Sequence, residues 1–89
     1  MKLNKNFVLR EVAGSWVVLP VGQASVDFNG MISLNDPGAF LWKTLEQGAD
    51  SKKLAAALTE EYDVSMEQAQ ADAEAFLASL ERIGCLEAE

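Results

Sequence analysis

The amino-acid sequence predicts an α+β domain in which three short antiparallel strands are followed by three helices. Two observations predict this class. Residues up to Leu34 are rich in β-branched and aromatic side chains, with turn signals between the runs. Residues after Asn35 repeat apolar side chains at helical spacing. The 89 residues contain no internal repeat, so we expect a single domain over residues 1–89 with a small core.

The strands are predicted by short β-rich runs that end at turn residues. Phe7–Val12 and Ser15–Val21 are joined by Ala13-Gly14, and a short link that contains glycine favours a hairpin. Met31–Leu34 forms the third strand, because it follows Asn29-Gly30, the dipeptide most typical of tight hairpin turns. Alternation along this strand puts Met31 and Ser33 on one face and Ile32 and Leu34 on the other.

The first helix is predicted by residues at its two ends. Pro37 suits the first turn, where its missing N–H would have no partner, and Asp36 is expected to cap the free N–H groups. Gly48 stands where a glycine commonly ends a helix. The helix between these ends has a wide apolar face, which predicts core packing for Phe40, Leu41, Trp42 and Leu45.

The remaining two helices are predicted by apolar periodicity and by their caps. Ser65 and Gln68 form a capping box before the third helix, and Gly84 is expected to end it. Cys85 would then pack back on Leu80 as a small apolar side chain. The expected bounds are Asp50 or Ser51 to about Tyr62 for the second helix and Met66–Ile83 for the third.

Composition restricts the function classes. The chain has no histidine and one cysteine, so neither an internal disulfide nor a zinc site of Cys and His ligands can form. Catalysis by a Ser–His or Cys–His pair is excluded by the same count. We therefore expect no enzyme activity, no metal and no cofactor. The apolar runs are far shorter than the about 20 residues of a membrane helix, and the N-terminus lacks the apolar stretch of a secretion signal. We expect a cytoplasmic protein that does not bind membranes.

Nucleic-acid binding is a first alternative, because three helices beside a sheet also describe a winged helix whose last helix enters the major groove. Charge opposes it. Residues 1–35 have a net charge of +1, and residues 36–89 have a net charge of −8. Such a surface repels phosphate groups. On the third helix, four acids stand against a single base: Glu67, Asp72, Glu74 and Glu81 against Arg82.

Peptide binding is a second interpretation, and it starts from the alanine-rich third helix. Short side chains leave a shallow trough along a helix, although the same residues also simply raise helix propensity. If the helix lies next to an open strand edge, edge and trough together can hold an extended peptide through backbone hydrogen bonds and apolar pockets. An acidic flank on such a groove would favour a ligand with Lys or Arg.

The sequence resembles the PqqD family. The resemblance is carried by the junction LNDPGAFLW at 34–42, by EEYDVSMEQAQAD at 60–72 and by the helix end ERIGCLE at 81–87. It extends from about Val8 to Leu86, and the matching positions keep their order and spacing. These positions are Leu34, Asn35, Gly38, Trp42, Gly48, Tyr62, Val64, Leu80, Gly84 and Leu86.

The resemblance implies a winged-helix-like domain that recognises ribosomally made precursor peptides. It would bind the leader segment as an added strand on Met31–Leu34, against the last helix, and present the peptide to a modifying enzyme, often a radical S-adenosylmethionine protein. Residues 21–30 are longer than a minimal hairpin requires, and they either extend the third strand back to Val26 or loop over the groove. The expected peptide-binding residues are Phe28, Met31, Ile32, Ser33, Leu34, Ala69, Asp72, Ala73 and Phe76.

Three alternatives to peptide binding stay open from the sequence, and nucleic-acid binding is one of them. The chain could act as a nucleic-acid-binding regulator of the winged-helix type. It could be a structural accessory subunit that docks on an enzyme through the Trp42 face without contacting a peptide. An open strand edge could also pair with a second copy of the chain and form a homodimer.

Overall fold

A computed structural model describes residues 2–22 and 31–87. The expected order of three main strands followed by three helices is confirmed. None of the helices in these two ranges is long and apolar enough to cross a bilayer. The strands are β1 (Lys2–Leu3), β2 (Phe7–Val12), β3 (Ser15–Pro20), β4 (Ile32–Leu34) and β5 (Leu86–Glu87), and the helices are α1 (Asp36–Glu46), α2 (Ser51–Glu61) and α3 (Met66–Ile83).

The main sheet has the order β2-β3-β4 and is antiparallel throughout. β2 and β3 form the predicted hairpin, with six residue pairs that run from Phe7–Pro20 to Val12–Ser15. Its turn residues Ala13 and Gly14 both have positive φ, 52° and 80°, as a two-residue turn of type I′ requires. β4 pairs with β3 over three residues only. The predicted Asn29-Gly30 turn lies outside the described residues.

A second, two-stranded sheet joins the two ends of the described chain, and the sequence did not predict it. β1 and β5 pair antiparallel, with Leu3 opposite Leu86. Asn4 strengthens this junction, because its N–H donates to Cys85 O at 2.7 Å and its Nδ2 donates to Gly84 O at 3.2 Å. Strands of two residues have no periodicity of their own, so only the tertiary structure places them.

The N-cap of α1 is Asn35, and the predicted cap at Asp36 is wrong. Asn35 has extended backbone angles, and its Oδ1 accepts the N–H of Gly38 at 2.8 Å. Asp36 is already the first helical residue, where its carboxylate favours the positive helix end without capping it. Gly38 is needed here, because a Cβ at this position would lie 3.0 Å from Asn35 Oδ1 and 3.4 Å from the Cβ of Leu34.

The ends of α3 follow the sequence, with one difference. Ser65 Oγ accepts the N–H of Gln68 at 3.1 Å, as predicted. The return bond of a capping box does not form in the structure, because the Gln68 side chain instead donates to Asp72 Oδ1 at 2.7 Å. At the other end, Gly84 takes the left-handed conformation with φ 94°, and the N–H of Cys85 reaches Leu80 O at 2.9 Å.

The core lies between the inner face of the main sheet and the three helices. Trp42 is 1% exposed, which confirms the predicted core packing of this side chain. Trp16 is half-buried, and its ring is covered by the Lys43 ammonium at 4.0 Å from the ring centre. The largest fully buried side chains are Trp42, Leu45, Leu54, Leu80, Val18 and Cys85.

Candidate functional site

The hydrogen bonds of the β2–β3 hairpin determine which backbone N–H and C=O groups of β4 point toward β3 and which point out of the sheet. Val21 donates its N–H to Asn6 O at 2.7 Å, one step beyond the last residue pair of β2 and β3. In an antiparallel ladder, hydrogen-bonded pairs and non-hydrogen-bonded pairs alternate. Val17, four residues before Val21, therefore bonds to β2. The backbone groups of its neighbours Trp16 and Val18 point to the opposite side, toward β4.

This alternation of hydrogen-bonded and non-hydrogen-bonded pairs, which we call the backbone phase, leaves one residue of β4 with outward backbone groups. Trp16 is opposite Leu34 and Val18 is opposite Ile32, so both of these β4 residues bond to β3. Ser33 lies between them, and its N–H and C=O point away from the sheet. We call these outward groups of Ser33 the β4 edge. Among the described residues, no hydrogen-bond partner occupies it.

The side chains of β4 alternate as the sequence predicted. Ile32 and Leu34 are partly buried and pack against the core, whereas Ser33 is exposed and Met31 is 62% exposed. Of the β4 residues expected to bind a peptide, Ser33 has outward backbone groups, whereas Ile32 and Leu34 bond to β3 and pack on the core. Phe28, which was also predicted to contact a peptide, lies outside the described residues.

The opposite edge of the sheet, along β2, is covered by the chain at two of its outward backbone groups. The same alternation directs the backbone groups of Phe7, Leu9 and Glu11 outward from β2. The N–H of Phe7 donates to Asn4 O at 3.1 Å, and the C=O of Leu9 accepts Arg10 Nη1 at 2.8 Å. We call this partly covered β2 edge the closed edge, in contrast to the β4 edge.

A pocket of about 380 Å³ opens where β4 ends and α1 begins. The start of α1, the end of α2 and one side of α3 form its walls, so three helices converge on it. Phe40 does not line the pocket, but its ring packs edge-to-face on the lining residue Tyr62, with the ring centres 5.8 Å apart. We call this the edge pocket, and its lining residues are Asn35, Pro37, Gly38, Leu41, Leu58, Tyr62, Val64, Asp72, Ala75 and Phe76.

Helix α3 presents different residues to the core and to the edge pocket. Ala69 and Ala73, both expected to contact a peptide, are fully buried in the core, so their methyl groups offer no surface to a ligand. Asp72 and Phe76, also expected, do line the pocket. The small residue at the pocket is Ala75, which the sequence analysis did not select. The structure therefore brings Asp72 and Phe76 together and places the two buried alanines beneath them.

Other pocket residues were missed because they stand at the ends of elements. Pro37 was interpreted as a signal for the start of α1, and Asn35 and Tyr62 as positions of the family resemblance, but none of the three was selected as a peptide-binding residue. The spacing of Asp72, Ala75 and Phe76 was an available signal, since residues three and four apart share one side of a helix. That side is displaced by about one position from the apolar stripe.

Comparison with known proteins finds one matching family and two similar solved structures. The family model described as Coenzyme PQQ synthesis protein D (PqqD) matches residues 15–86. A search of curated proteins found no match. The fold is similar to that of TbiB1 in complex with the TbiA(beta) leader peptide, with a TM-score of 0.80 and 24% identity over 100% of this chain and 98% of that one. It is also similar to lasso peptide synthetase B1 complexed with the leader peptide, with a TM-score of 0.76 and 25% identity over 94% of this chain and 93% of that one.

Proposed function

Because the chain belongs to the PqqD family, we propose that it binds the leader segment of a ribosomally synthesised precursor peptide and presents that peptide to a modifying enzyme. In this proposal the leader adds as a strand along the β4 edge, beside α3. The two similar structures are named as leader-peptide complexes, which supports the same ligand class for this chain. We place the function in the cytoplasm, where precursor peptides are made and where a free thiol such as Cys85 stays reduced.

The observation that carries the proposal is the combination of the open β4 edge and the edge pocket, which are adjacent along the chain. Ser33 offers one outward N–H and one outward C=O, and the pocket begins two residues later at Asn35. Strand addition needs both features, because main-chain bonds give affinity and side-chain pockets give specificity. Around them, α1 starts at a capped residue and α3 packs on the core through buried alanines.

A binding role without catalysis is part of the proposal. Cys85 is the single thiol of the chain, and it is fully buried. Burial raises the pKa of this thiol from 9.0 to about 11, so it is protonated at neutral pH. A protonated, buried thiol is a poor nucleophile. This supports a packing role for Cys85 and a binding role for the domain.

The enzyme partner is a precursor-modifying enzyme of one of two classes. The family resemblance points to a radical S-adenosylmethionine enzyme. The second class is supported by the name of a similar structure, lasso peptide synthetase B1, which this chain matches over 94% of its residues. Co-purification of the tagged chain with one enzyme of each class, with and without precursor peptide, distinguishes them. A pairing that forms equally well without precursor would instead support a structural accessory role.

The direct test is an NMR titration of the ¹⁵N-labelled chain with a synthetic leader segment of a candidate precursor peptide. We expect the largest amide shifts at Ser33, Leu34 and the 72–76 segment of α3. Shifts confined to α2, or no saturable binding, would contradict the proposal. A gel-shift assay with random duplex DNA at low salt is the control for the nucleic-acid alternative, and we expect no retention because the chain has a net charge of −7.

A second copy of the chain is a competing occupant of the same edge. Two copies paired through β4 would use the outward groups of Ser33 on each, and the leader would have to displace them. The net charge of −7 per chain opposes such a pair. We therefore propose that the free protein is mainly monomeric, and sedimentation analysis with and without leader tests this: a leader-dependent change from dimer to monomer would show that self-pairing competes.

A further inference from the structure

We propose that Asp72 selects leaders that carry a lysine or arginine two residues from the apolar side chain held in the edge pocket. This inference rests on the proposed function and adds the chemistry of the ligand. It makes Asp72 a specificity-determining residue for the binding site.

The first feature is the composition of the pocket wall. Nine of the ten lining side chains are uncharged, and Asp72 is the one that carries a charge. Two further exposed acids, Asp36 and Asp63, are chain neighbours of lining residues on α1 and after α2. No lysine or arginine belongs to the lining set. A ligand that enters this mouth therefore meets apolar walls and negative charge.

The second feature is that the nearby helix end does not offer an anion site. The N-terminus of α1 opens on the pocket, and such ends bind anions through free N–H groups. Here the N–H of Gly38 donates to Asn35 Oδ1 at 2.8 Å, and that of Ala39 donates to Asn35 O at 2.9 Å. Pro37 has no N–H, and Asp36 adds a negative charge. The local chemistry therefore favours a cation over a carboxylate.

The third feature is the geometry of the Asp72 carboxylate. Gln68 Nε2 donates to Asp72 Oδ1 at 2.7 Å, which restrains the side chain along α3. Because a carboxylate has about four acceptor positions, this bond leaves capacity for a bidentate Arg or a Lys. An ion pair at a partly exposed rim contributes modest affinity but strong selectivity against the opposite charge.

The fourth feature is the period of an extended peptide. Side chains two residues apart in a strand lie on the same side, roughly 6.6 Å from each other. In the proposed complex, one apolar side chain occupies the pocket, and the side chain two positions away lies at its rim, where the proposal makes Asp72 its partner. This gives the recognition pattern a defined spacing, which a selection experiment can measure.

The chain provides a matched control for Asp72 on the same helix. Gln70 Nε2 donates to Glu74 Oε2 at 2.7 Å, with the same spacing and the same distance as the Gln68–Asp72 pair. Both acids are exposed, but only Asp72 lines the pocket. Asp72→Asn and Glu74→Gln therefore each remove one negative charge from α3, and each replaces a carboxylate that accepts a hydrogen bond from a glutamine. The two variants differ in that only Asp72 lines the pocket.

The experiment is selection from a phage-displayed library of random peptides against the wild type and these two variants. At about 0.01 M salt, where the Debye length is about 30 Å, we expect wild-type binders to be enriched in Lys or Arg two residues from an apolar residue. Glu74→Gln should keep this enrichment, and Asp72→Asn should lose it. Circular dichroism melts should show that both variants are folded.

The best wild-type binder then enters a double-mutant cycle. Asp72→Asn should weaken its binding about threefold to fivefold, and replacing its base by Gln should have the same effect on the wild type but no further effect on the variant. Enrichment of bases that survives in Asp72→Asn, or additive losses in the cycle, would overturn the inference and leave the proposed function standing. A library that yields no binder to the wild type would overturn the proposed function as well.

Discussion

The two edges of the main sheet differ in how much of their outward backbone is covered by the rest of the chain. Along β2, Asn4 O accepts the outward N–H of Phe7, and Arg10 Nη1 donates to the outward C=O of Leu9. Along β4, the outward groups of Ser33 have no partner among residues 2–22 and 31–87. Unprotected edges invite pairing with other chains, and proteins usually block them. The β4 edge is the one that the proposed function assigns to the leader.

The closed edge is held by bonds to residues that are far away along the chain. Asn4, which accepts the N–H of Phe7, is itself held by Cys85 O and Gly84 O at the end of α3. The small β1–β5 sheet therefore connects the closing of β2 to the last helix of the domain. The open edge has a different neighbour, since the edge pocket follows β4 directly. The β2 edge is thus linked to the small β1–β5 sheet, and the β4 edge is followed along the chain by the edge pocket.

The strongest test of the backbone phase is a proline at Ile32, whose N–H should bond to β3. Ile32→Pro would leave the C=O of Val18 without its donor, so we expect it to be less stable than Ile32→Ala by about 1–3 kcal/mol. Urea unfolding of the two variants measures this difference. Equal stability of the two would mean that the N–H of Ile32 does not face β3 and that the phase is wrong.

The same substitution one residue later should act on binding and leave the fold nearly unchanged. Ser33→Pro removes an outward N–H, which costs the sheet no ladder bond, but the proline ring obstructs an added strand. We expect leader affinity to fall at least about tenfold, which corresponds to about 1.4 kcal/mol. Ser33→Ala keeps the N–H and should bind within about twofold of the wild type. Calorimetric titration checks both, and wild-type affinity in Ser33→Pro would exclude strand addition at this position.

The region that anchors the closed edge should be sensitive to alkaline pH. Burial raises the pKa of Cys85 to about 11 in the folded state, from 9.0 when the thiol is exposed. Below pH 9 the thiol is protonated in both states, so its contribution is constant. Between pH 9 and about 11 only the unfolded state releases the proton, and stability falls as pH rises. Cys85→Ala should lack this part of the fall in a series of urea melts, and an identical slope in both proteins would contradict it.

The smallest effect is expected from opening the β2 edge. Arg10→Ala releases the C=O of Leu9 but leaves Ser33 and the edge pocket unchanged. We expect leader affinity to stay within about twofold of the wild type, because exposed charges far from a binding site contribute little. A large loss in this variant would show that the ligand contacts the β2 side, and the assignment of open and closed edges would need to be reversed.

Several features of the site could be predicted from the sequence because local rules determine them. Ser65 and Gly84 fixed the ends of α3, and strand alternation gave the facing of Ile32 and Ser33. The cap of α1 was misassigned because Asn35 and Asp36 are adjacent and both are good capping residues. Only the backbone angles show which of the two precedes the helix.

Features that depend on neighbouring elements could not be predicted in the same way. Periodicity found a stripe on α3, but it could not tell that Ala69 and Ala73 would be covered while Ala75 stayed at the surface. The closing of β2 by Arg10 is a bond from a side chain to the preceding carbonyl, and residue type alone gives no sign of it. The openness of an edge is therefore a tertiary property.

Amide hydrogen exchange at Ser33 tests the central claim most directly. In the free protein we predict that its N–H exchanges much faster than those of Ile32 and Leu34, which bond to β3. At saturation with leader peptide, the exchange at Ser33 should slow by at least about tenfold, while the other two change little. Protection of Ser33 in the free protein, or unchanged exchange at saturation, would show that the β4 edge does not receive the peptide.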